Sequence, residues 1–311
     1  MDTNLHENQP VYHTPVLLQQ AVEALDIQPG GVYADATFGG GGHSRAILAA
    51  LSADGRLLGF DQDKDAMANA PDDERFTFVR SNFEFMPNFK RFHGIEKFDG
   101  ILADLGVSSH HFDDASRGFS FRADAPLDMR MNTAAPRTAA DIVNESSEKD
   151  LTFILRTGSD LRNAPAIASA IVKARSLSPI LTTGSLTAAV TPLMNPRSEK
   201  MDLAQVFQAH RIAVNNEIDV LTRFHDNCAR ILRPGGRLAV ITYHSLEDRL
   251  VKNLMKTGNV EGVVDKDFFG NVHTPWRLVT RNPITPDAEE IARNPRSRSA
   301  KLRVAALRGD E

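Results

Sequence analysis

Along the first hundred residues, helical spacing of apolar positions gives way repeatedly to short continuous apolar runs. Leu18, Ala21, Val22 and Leu25 recur at helical spacing, opened by Thr14 as N-cap and Pro15 at the first helical position and closed by Pro29-Gly30-Gly31. Residues 32–37 then predict a first strand, a glycine turn follows, and 43–51 predict a helix. The runs 56–61, 76–79 and 98–104 predict the second, third and fourth strands, with a helix over 65–70. Strands alternating with helices imply right-handed crossovers and a parallel, doubly wound α/β sheet. Ligands of such a sheet sit at the carboxyl ends of its strands.

After residue 104 the alternation stops. Residues 105–131 form a loop with glycine, serine and aspartate, too long for a simple connector. The stretch 138–196 is strand-poor, with Ala139, Ile142 and Val143, then Leu151, Ile154 and Leu155, then Ile167, Ala170, Ile171 and Ala174 at helical spacing. It is expected to be a helical insertion. One long helix is predicted over 204–232, ended by Pro234-Gly235-Gly236; a strand over 237–243 and a helix over 246–255 then resume the sheet. Residues 276–280 and 301–307 complete it as an antiparallel pair at the edge. The expected division is 1–112 and 201–311 for the two parts of the α/β domain, with the insertion over 113–200.

Three of the apolar runs end in an acid: Asp35, Asp61 and Asp104. A single aspartate at a strand end is most simply a solvated loop acid or a helix cap. Three at the ends of the first, second and fourth strands, the first just ahead of the run Gly39-Gly40-Gly41-Gly42, point to a nucleotide site. Four glycines carry a large ordering cost, so they persist where φ is positive or where something lies against bare backbone. A dinucleotide fingerprint needs Gly-x-Gly-x-x-Gly or Ala with an acid about 20 residues on. Gly39, Gly41 and Asp61 match it, but Ser44 occupies the third position. An S-adenosylmethionine methyltransferase layout uses all three acids, the second binding ribose hydroxyls by charge-assisted hydrogen bonds. It therefore ranks ahead of a nicotinamide-dependent oxidoreductase.

Other chemistries fit less well. No Gly-Lys-Ser/Thr follows the glycines, so a P-loop is disfavoured, and Gly118-Phe119-Ser120-Phe121 lacks the second glycine of a nucleophile elbow. His110 and His111 are adjacent and cannot share one face of a strand, and no His-Glu-x-x-His occurs, so no metal site is expected. The 311 residues are 41% hydrophobic and 24% charged, an ordinary globular balance, with a formal net charge of −4. A nucleic-acid partner would therefore need a local basic patch, and Arg293, Arg296, Arg298, Lys301 and Arg303 form the one clear cluster. Cys228 is the sole cysteine, which rules out an internal disulfide framework and suits a reducing cytoplasm. No apolar run is long enough to span a bilayer, so a soluble cytoplasmic protein is expected.

Several longer motifs are more specific. His13-Thr14-Pro15-Val16-Leu17-Leu18, the segment from Asp35 to Ser44, and Asp104-Leu105-Gly106-Val107-Ser108-Ser109 resemble a bacterial family that methylates the N4 amine of a cytidine in small-subunit (16S) ribosomal RNA. So do Arg117-Gly118-Phe119-Ser120-Phe121, Pro126-Leu127-Asp128-Met129-Arg130-Met131, Tyr243-His244-Ser245-Leu246-Glu247-Asp248-Arg249 and the segment from Asn294 to Arg303. The resemblance implies an S-adenosylmethionine-dependent RNA methyltransferase acting in the decoding region, with a Rossmann-like sheet and an inserted all-helical substrate domain. Ribosomal RNA or the small subunit is the implied partner, and a homodimer is compatible. Carried over residue by residue, its cofactor positions are Gly41, Gly42, His43, Asp61, Phe83, Asp104 and His111, the last standing where the family more often has glutamine. The segments 157–161 and 202–206 depart from the family pattern on the presumed substrate side.

Methyl transfer needs the attacking nitrogen in line with the methyl group, and the cytosine amine is a poor nucleophile. Asp104 is the candidate acceptor for its proton, its role open between orienting the base and holding the cofactor. His244 is the second catalytic candidate, either contacting the base or capping the following helix. Asp128 and Arg130 are candidates to close over the substrate, with a structural salt bridge as the alternative. Arg296 and Arg298 are candidate RNA phosphate contacts.

Overall fold

The computed structural model describes residues 15–106, 114–270 and 272–309. The chain forms two compact units, one from 1–106 with 222–311 and one from 107–221. The first contains a seven-stranded sheet. Its strands are β1 (Val32–Asp35), β2 (Arg56–Asp61), β3 (Phe76–Arg80), β4 (Phe98–Asp104), β5 (Leu232–Thr242), β6 (Trp276–Leu278) and β7 (Lys301–Leu307), in the order β3-β2-β1-β4-β5-β7-β6. The first five run parallel, and β7 is antiparallel to both β5 and β6. The predicted doubly wound sheet and its antiparallel edge are both present.

Continuous apolar runs form these strands because a parallel sheet is covered on both faces. All of β4 except Asp104 is buried. Leu25, Tyr33, Ile47, Leu57, Leu102, Ile241 and Leu302 join the helices Leu18–Leu25 and Gly42–Ala50 to the sheet in one core. Local details differ from the sequence reading. The lead-in helix starts at Leu18, not Pro15, because Leu17 takes a left-handed conformation (φ 53°) and its N–H donates to Glu290 Oε1 at 2.7 Å; Thr14 lies outside the described residues. Pro234-Gly235-Gly236 does not precede β5 but forms an irregular section within it, with Gly235 at φ +80° and a register shift opposite Phe98 to Gly100. The predicted helix over 65–70 is a 3₁₀ helix, Lys64–Asn69.

The second unit is helical. Ala139–Glu145, Glu148–Gly158, Ala164–Leu177, Thr183–Val190 and Glu199–Asn215 surround a core that includes Leu151, Leu155, Ile167, Ile171, Leu186, Val206 and Phe207. Thr138 opens the first of these helices with a capping box to Asp141, and Ser147 caps the second. The expected insertion ran over 113–200, whereas this compact unit spans Val107–Leu221, because Glu199–Asn215 packs Leu203, Val206 and Phe207 into the helical core. The single long helix predicted over 204–232 is two helices, Glu199–Asn215 and Glu217–Ile231, broken at Asn216 with φ 51°. Asparagine tolerates that left-handed conformation better than most residues, so apolar periodicity alone hides the break. No helix among the described residues is long and apolar enough to cross a membrane.

His210 gives the helical unit a pH dependence. It is fully buried, its Nδ1 donates to the Val206 carbonyl at 2.8 Å, and its Nε2 has no partner among the described residues. Burial lowers its pKa below the ordinary 6.5. The native ring stays neutral as pH falls through that value while the unfolded chain takes up a proton, so its stability contribution is full above 6.5 and is lost below it. Stability is therefore expected to fall as pH drops through 6.5, by at most about 1.4 kcal/mol per pH unit from this residue. His210→Leu should flatten that slope in urea titrations; superimposable profiles for the two proteins would refute the assignment.

Candidate active site

The site is built at the carboxyl ends of the parallel strands, beginning with β1. Asp35 is 1% exposed; its Oδ2 accepts the Ser44 hydroxyl at 2.7 Å and its Oδ1 accepts the Thr37 N–H at 3.1 Å. Burial raises its pKa, opposed by His43 and by those two hydrogen bonds. Asp35 thus orders the glycine turn from beneath. Above it, the Gly39 N–H donates to Asp61 Oδ2 at 2.9 Å and the Gly39 carbonyl accepts Asn69 Nδ2 at 3.1 Å. Asp61 Oδ1 also accepts the Asp63 N–H at 2.8 Å, which fixes the carboxylate at the end of β2.

The glycines do different jobs. At Gly42 a side chain would meet Pro15 at 2.1 Å, and at Gly41, with φ +73°, it would meet the Phe38 ring at 2.8 Å. Both are therefore demanded by the protein's own packing. At Gly39, also at positive φ, the nearest atom to an added Cβ is the Thr37 carbonyl at 3.9 Å, so backbone lies open there. His43 opens the helix Gly42–Ala50 as a buried ring, and its Nε2 faces the Val16 carbonyl at 3.1 Å and so carries the proton.

Asp104 closes β4, hydrogen-bonded by Thr37 and Tyr243 with His43 nearby. Its N–H donates to Thr37 Oγ1 at 2.6 Å, its Oδ1 accepts the Tyr243 hydroxyl at 2.8 Å, and its Oδ2 stands 3.9 Å from His43 Nδ1. The last distance is too long for a hydrogen bond. Burial, with Asp104 alongside, pushes the Tyr243 phenol well above its ordinary range, so the hydroxyl keeps its proton and acts as donor. The Asp104 side chain remains 18% exposed, so its anchored carboxylate is still accessible.

The remaining candidates separate. Phe83 begins the short helical turn after β3 and packs edge-on against Phe224, ring centroids 4.8 Å apart. His244 is the N-cap of Ser245–Thr257: its Nδ1 accepts the Glu247 N–H at 3.4 Å and its Nε2 lies 2.9 Å from Glu247 Oε1. The capping alternative is therefore realised in its geometry. Asp128 and Arg130 lie in the helical unit and bind each other in a two-pronged pair, Nε to Oδ1 and Nη2 to Oδ2 both at 2.7 Å, with Arg130 Nη1 also on the Ala135 carbonyl. Arg296 and Arg298 are exposed on the turn Pro295–Ser299. Lys301 and Arg303 instead converge on Asp248, at 3.0 and 2.6 Å. His111 lies outside the described residues.

The sequence profile of the MraW methylase family matches residues 10–308. This chain belongs to that family. Among curated relatives, a protein of Phocaeicola vulgatus named ribosomal RNA small subunit methyltransferase H is 56% identical over 304 residues, covering 98% of this chain and 100% of the relative. Proteins with the same name from Bacteroides fragilis and Flavobacterium johnsoniae are 57% identical over 301 residues and 52% over 294. They cover 97% and 94% of this chain, and 99% and 97% of their own lengths.

The site fits the S-adenosylmethionine expected of this methylase. Gly39 offers open backbone between two strand-end acids, and Asp61 presents a carboxylate whose oxygens each carry two lone pairs, enough to share with ribose hydroxyls. Tyr243 and Thr37, which hold Asp104, did not emerge as site residues from the sequence. The signal was available in both cases: Thr37 follows the first strand-end acid, and Tyr243 sits just beyond the carboxyl end of β5, where the strand-end rule places ligands.

Proposed function

We propose that the protein is an S-adenosylmethionine-dependent RNA methyltransferase that methylates the exocyclic N4 amine of a cytidine in small-subunit ribosomal RNA, acting in the cytoplasm. Near full-length similarity to methyltransferases of that name, together with an anchored strand-end carboxylate at Asp104, carries this reading. Asp61 would hold the ribose, and Gly41, Gly42, His43 and Phe83 would line the rest of the cofactor's bed. The helical unit would present the RNA, with Asp128 and Arg130 bracing its loop and Arg296 and Arg298 contacting phosphates from the sheet unit.

The bound cofactor supplies an electrophilic methyl group on a sulfonium. The chain's own task is to position a weak nucleophile and take up its proton. Asp104 accepts an N–H of the cytosine amine, which turns the nitrogen lone pair outward and draws electron density toward it. The Tyr243 hydroxyl on Oδ1 restrains rotation of that acceptor, and Thr37 holds the Asp104 backbone at the strand end, so orientation is set before the substrate arrives. Once the nitrogen is methylated its proton is acidic, so an ordinary carboxylate or solvent suffices to remove it. His244 sets the start of its helix beside this site and acts through that position.

The decisive assay incubates the protein with radiolabelled S-adenosylmethionine and small ribosomal subunits lacking the modification. Label should appear in the RNA as N4-methylcytidine on nucleoside analysis. Saturating enzyme that leaves the RNA unlabelled would overturn the reading.

A further inference from the structure

A second basic feature lies away from the glycine turn, within the sheet unit. Lys252 and Lys256 on the helix Ser245–Thr257, Arg281 after β6, and Arg303 on β7 line a cavity of about 260 Å³ whose wall also includes Met255 and Leu278. Lys252, Lys256 and Arg281 are exposed, and none of the three has a carboxylate partner among the described residues. Arg303 shares Asp248 with Lys301, so one carboxylate there answers two cations. The local excess is positive on a chain whose formal net charge is −4.

This arrangement works against stability. Like charges at i and i+4, as at Lys252 and Lys256, repel each other on one helix face, and crowding further cations around one concavity adds to that. A bound anion would reverse the sign of the interaction. The cavity's mixed wall, apolar at Met255 and Leu278 and cationic around them, matches a phosphate carried on a sugar better than a bare ion. Register places Arg303 toward the same end of the sheet as Asp104 but on its other face: Asp104 pairs with Ile241 across β4 and β5, and Arg303 pairs with the adjacent Val240 across β5 and β7, where successive side chains alternate between faces. At about 4.8 Å per strand, Arg303 lies roughly 10 Å across the sheet from Asp104, at the same end.

We propose that this cavity is a phosphate subsite for the RNA backbone, taking a phosphodiester and its ribose from a part of the substrate RNA outside the target nucleotide. The assignment rests on the RNA methyltransferase reading above and adds to it a binding element formed by Lys252, Lys256, Arg281 and Arg303. It also shifts weight within the basic C-terminal segment, where Asp248 already offsets part of the charge of Lys301 and Arg303.

The test compares the full-length protein with a Lys252→Gln/Lys256→Gln/Arg281→Gln variant. Binding of a fluorescein-labelled single-stranded RNA of about 20 nucleotides is measured across a salt series. The variant should bind about tenfold more weakly, and its slope of log affinity against log salt should be shallower by about 0.7 for each phosphate it no longer neutralises. Calorimetric affinity for S-adenosylmethionine should be unchanged, which confirms folding. Equal RNA affinity and equal slope for the two proteins would overturn the subsite, as would absence of RNA binding by the parent protein even at low salt. A parent protein that binds RNA but transfers no methyl group would defeat the functional reading alone, and the comparison of affinities and slopes would still decide the subsite.

Discussion

Asp104→Asn is expected to lower turnover by about 10²- to 10⁴-fold, the usual contribution of a positioned proton acceptor. That range corresponds to roughly 3 to 5.5 kcal/mol of transition-state stabilisation. The substitution is nearly isosteric, and the asparagine carbonyl can still accept the Tyr243 hydroxyl that now donates to Oδ1 at 2.8 Å. What it removes is the negative charge and the second acceptor oxygen, the one nearer His43. Turnover is measured with cofactor and small subunits both saturating, and RNA affinity is measured separately. A large loss of turnover with RNA affinity nearly intact supports a role in the reacting complex. Weakened calorimetric affinity for S-adenosylmethionine with turnover unchanged at saturation would instead make Asp104 a cofactor ligand and remove it from the chemical step.

Gly118→Ala should be the most damaging single substitution for stability, at about 3 kcal/mol or more. Gly118 has φ +71°, which any L-residue adopts at a cost, and an added Cβ would stand 2.3 Å from the Pro126 carbonyl oxygen and 2.8 Å from the Asp128 nitrogen. Both are backbone atoms and cannot rotate aside. The segments on either side are tied together, since the Met129 N–H donates to the Arg117 carbonyl and Arg117 Nη2 donates to the carbonyls of Arg130 and Met131. Phe119, Leu127 and Met129 carry that tie into the helical core. Gly94→Ala is the control, because Gly94 has a similar φ of +63° but nothing within 4 Å of an added Cβ. It should cost only about 1 kcal/mol, the conformational part. Equal losses for the two variants in chemical denaturation would show that the close backbone approach is unimportant.

The same loop shows how far sequence reading reaches. Arg117 to Phe121 and Pro126 to Met131 stood out as motifs, and Asp128 and Arg130 were candidates to close over substrate. The structure shows one segment packed on the other, with the two charged residues satisfying each other at 2.7 Å. A charged pair two residues apart is equally consistent with binding and with bracing until the backbone conformation between them is known. Met129, at φ +60°, supplies that conformation, and nothing in its side chain announces it. His244 follows the same logic: the residue type fits base contact and helix capping alike, and the backbone at φ −135° and ψ 160° is that of a cap.

The strands, most of the helices, the parallel sheet with its antiparallel edge, and the position of the glycine turn between two strand-end acids are all legible along the chain. These depend on periodicity and on near neighbours, which the chain carries locally. Its long ordered motifs also determined the family. Which of many similar polar groups meet is settled in the folded chain. Asp104 is anchored by a tyrosine 139 positions away and by Thr37, Asp248 draws in two of the five cations of the basic C-terminal segment, and the long helix predicted over 204–232 breaks at Asn216. Each carboxylate had several chemically equivalent partners in the sequence. The choice among them follows from strand order and register, which place distant residues within hydrogen-bonding reach.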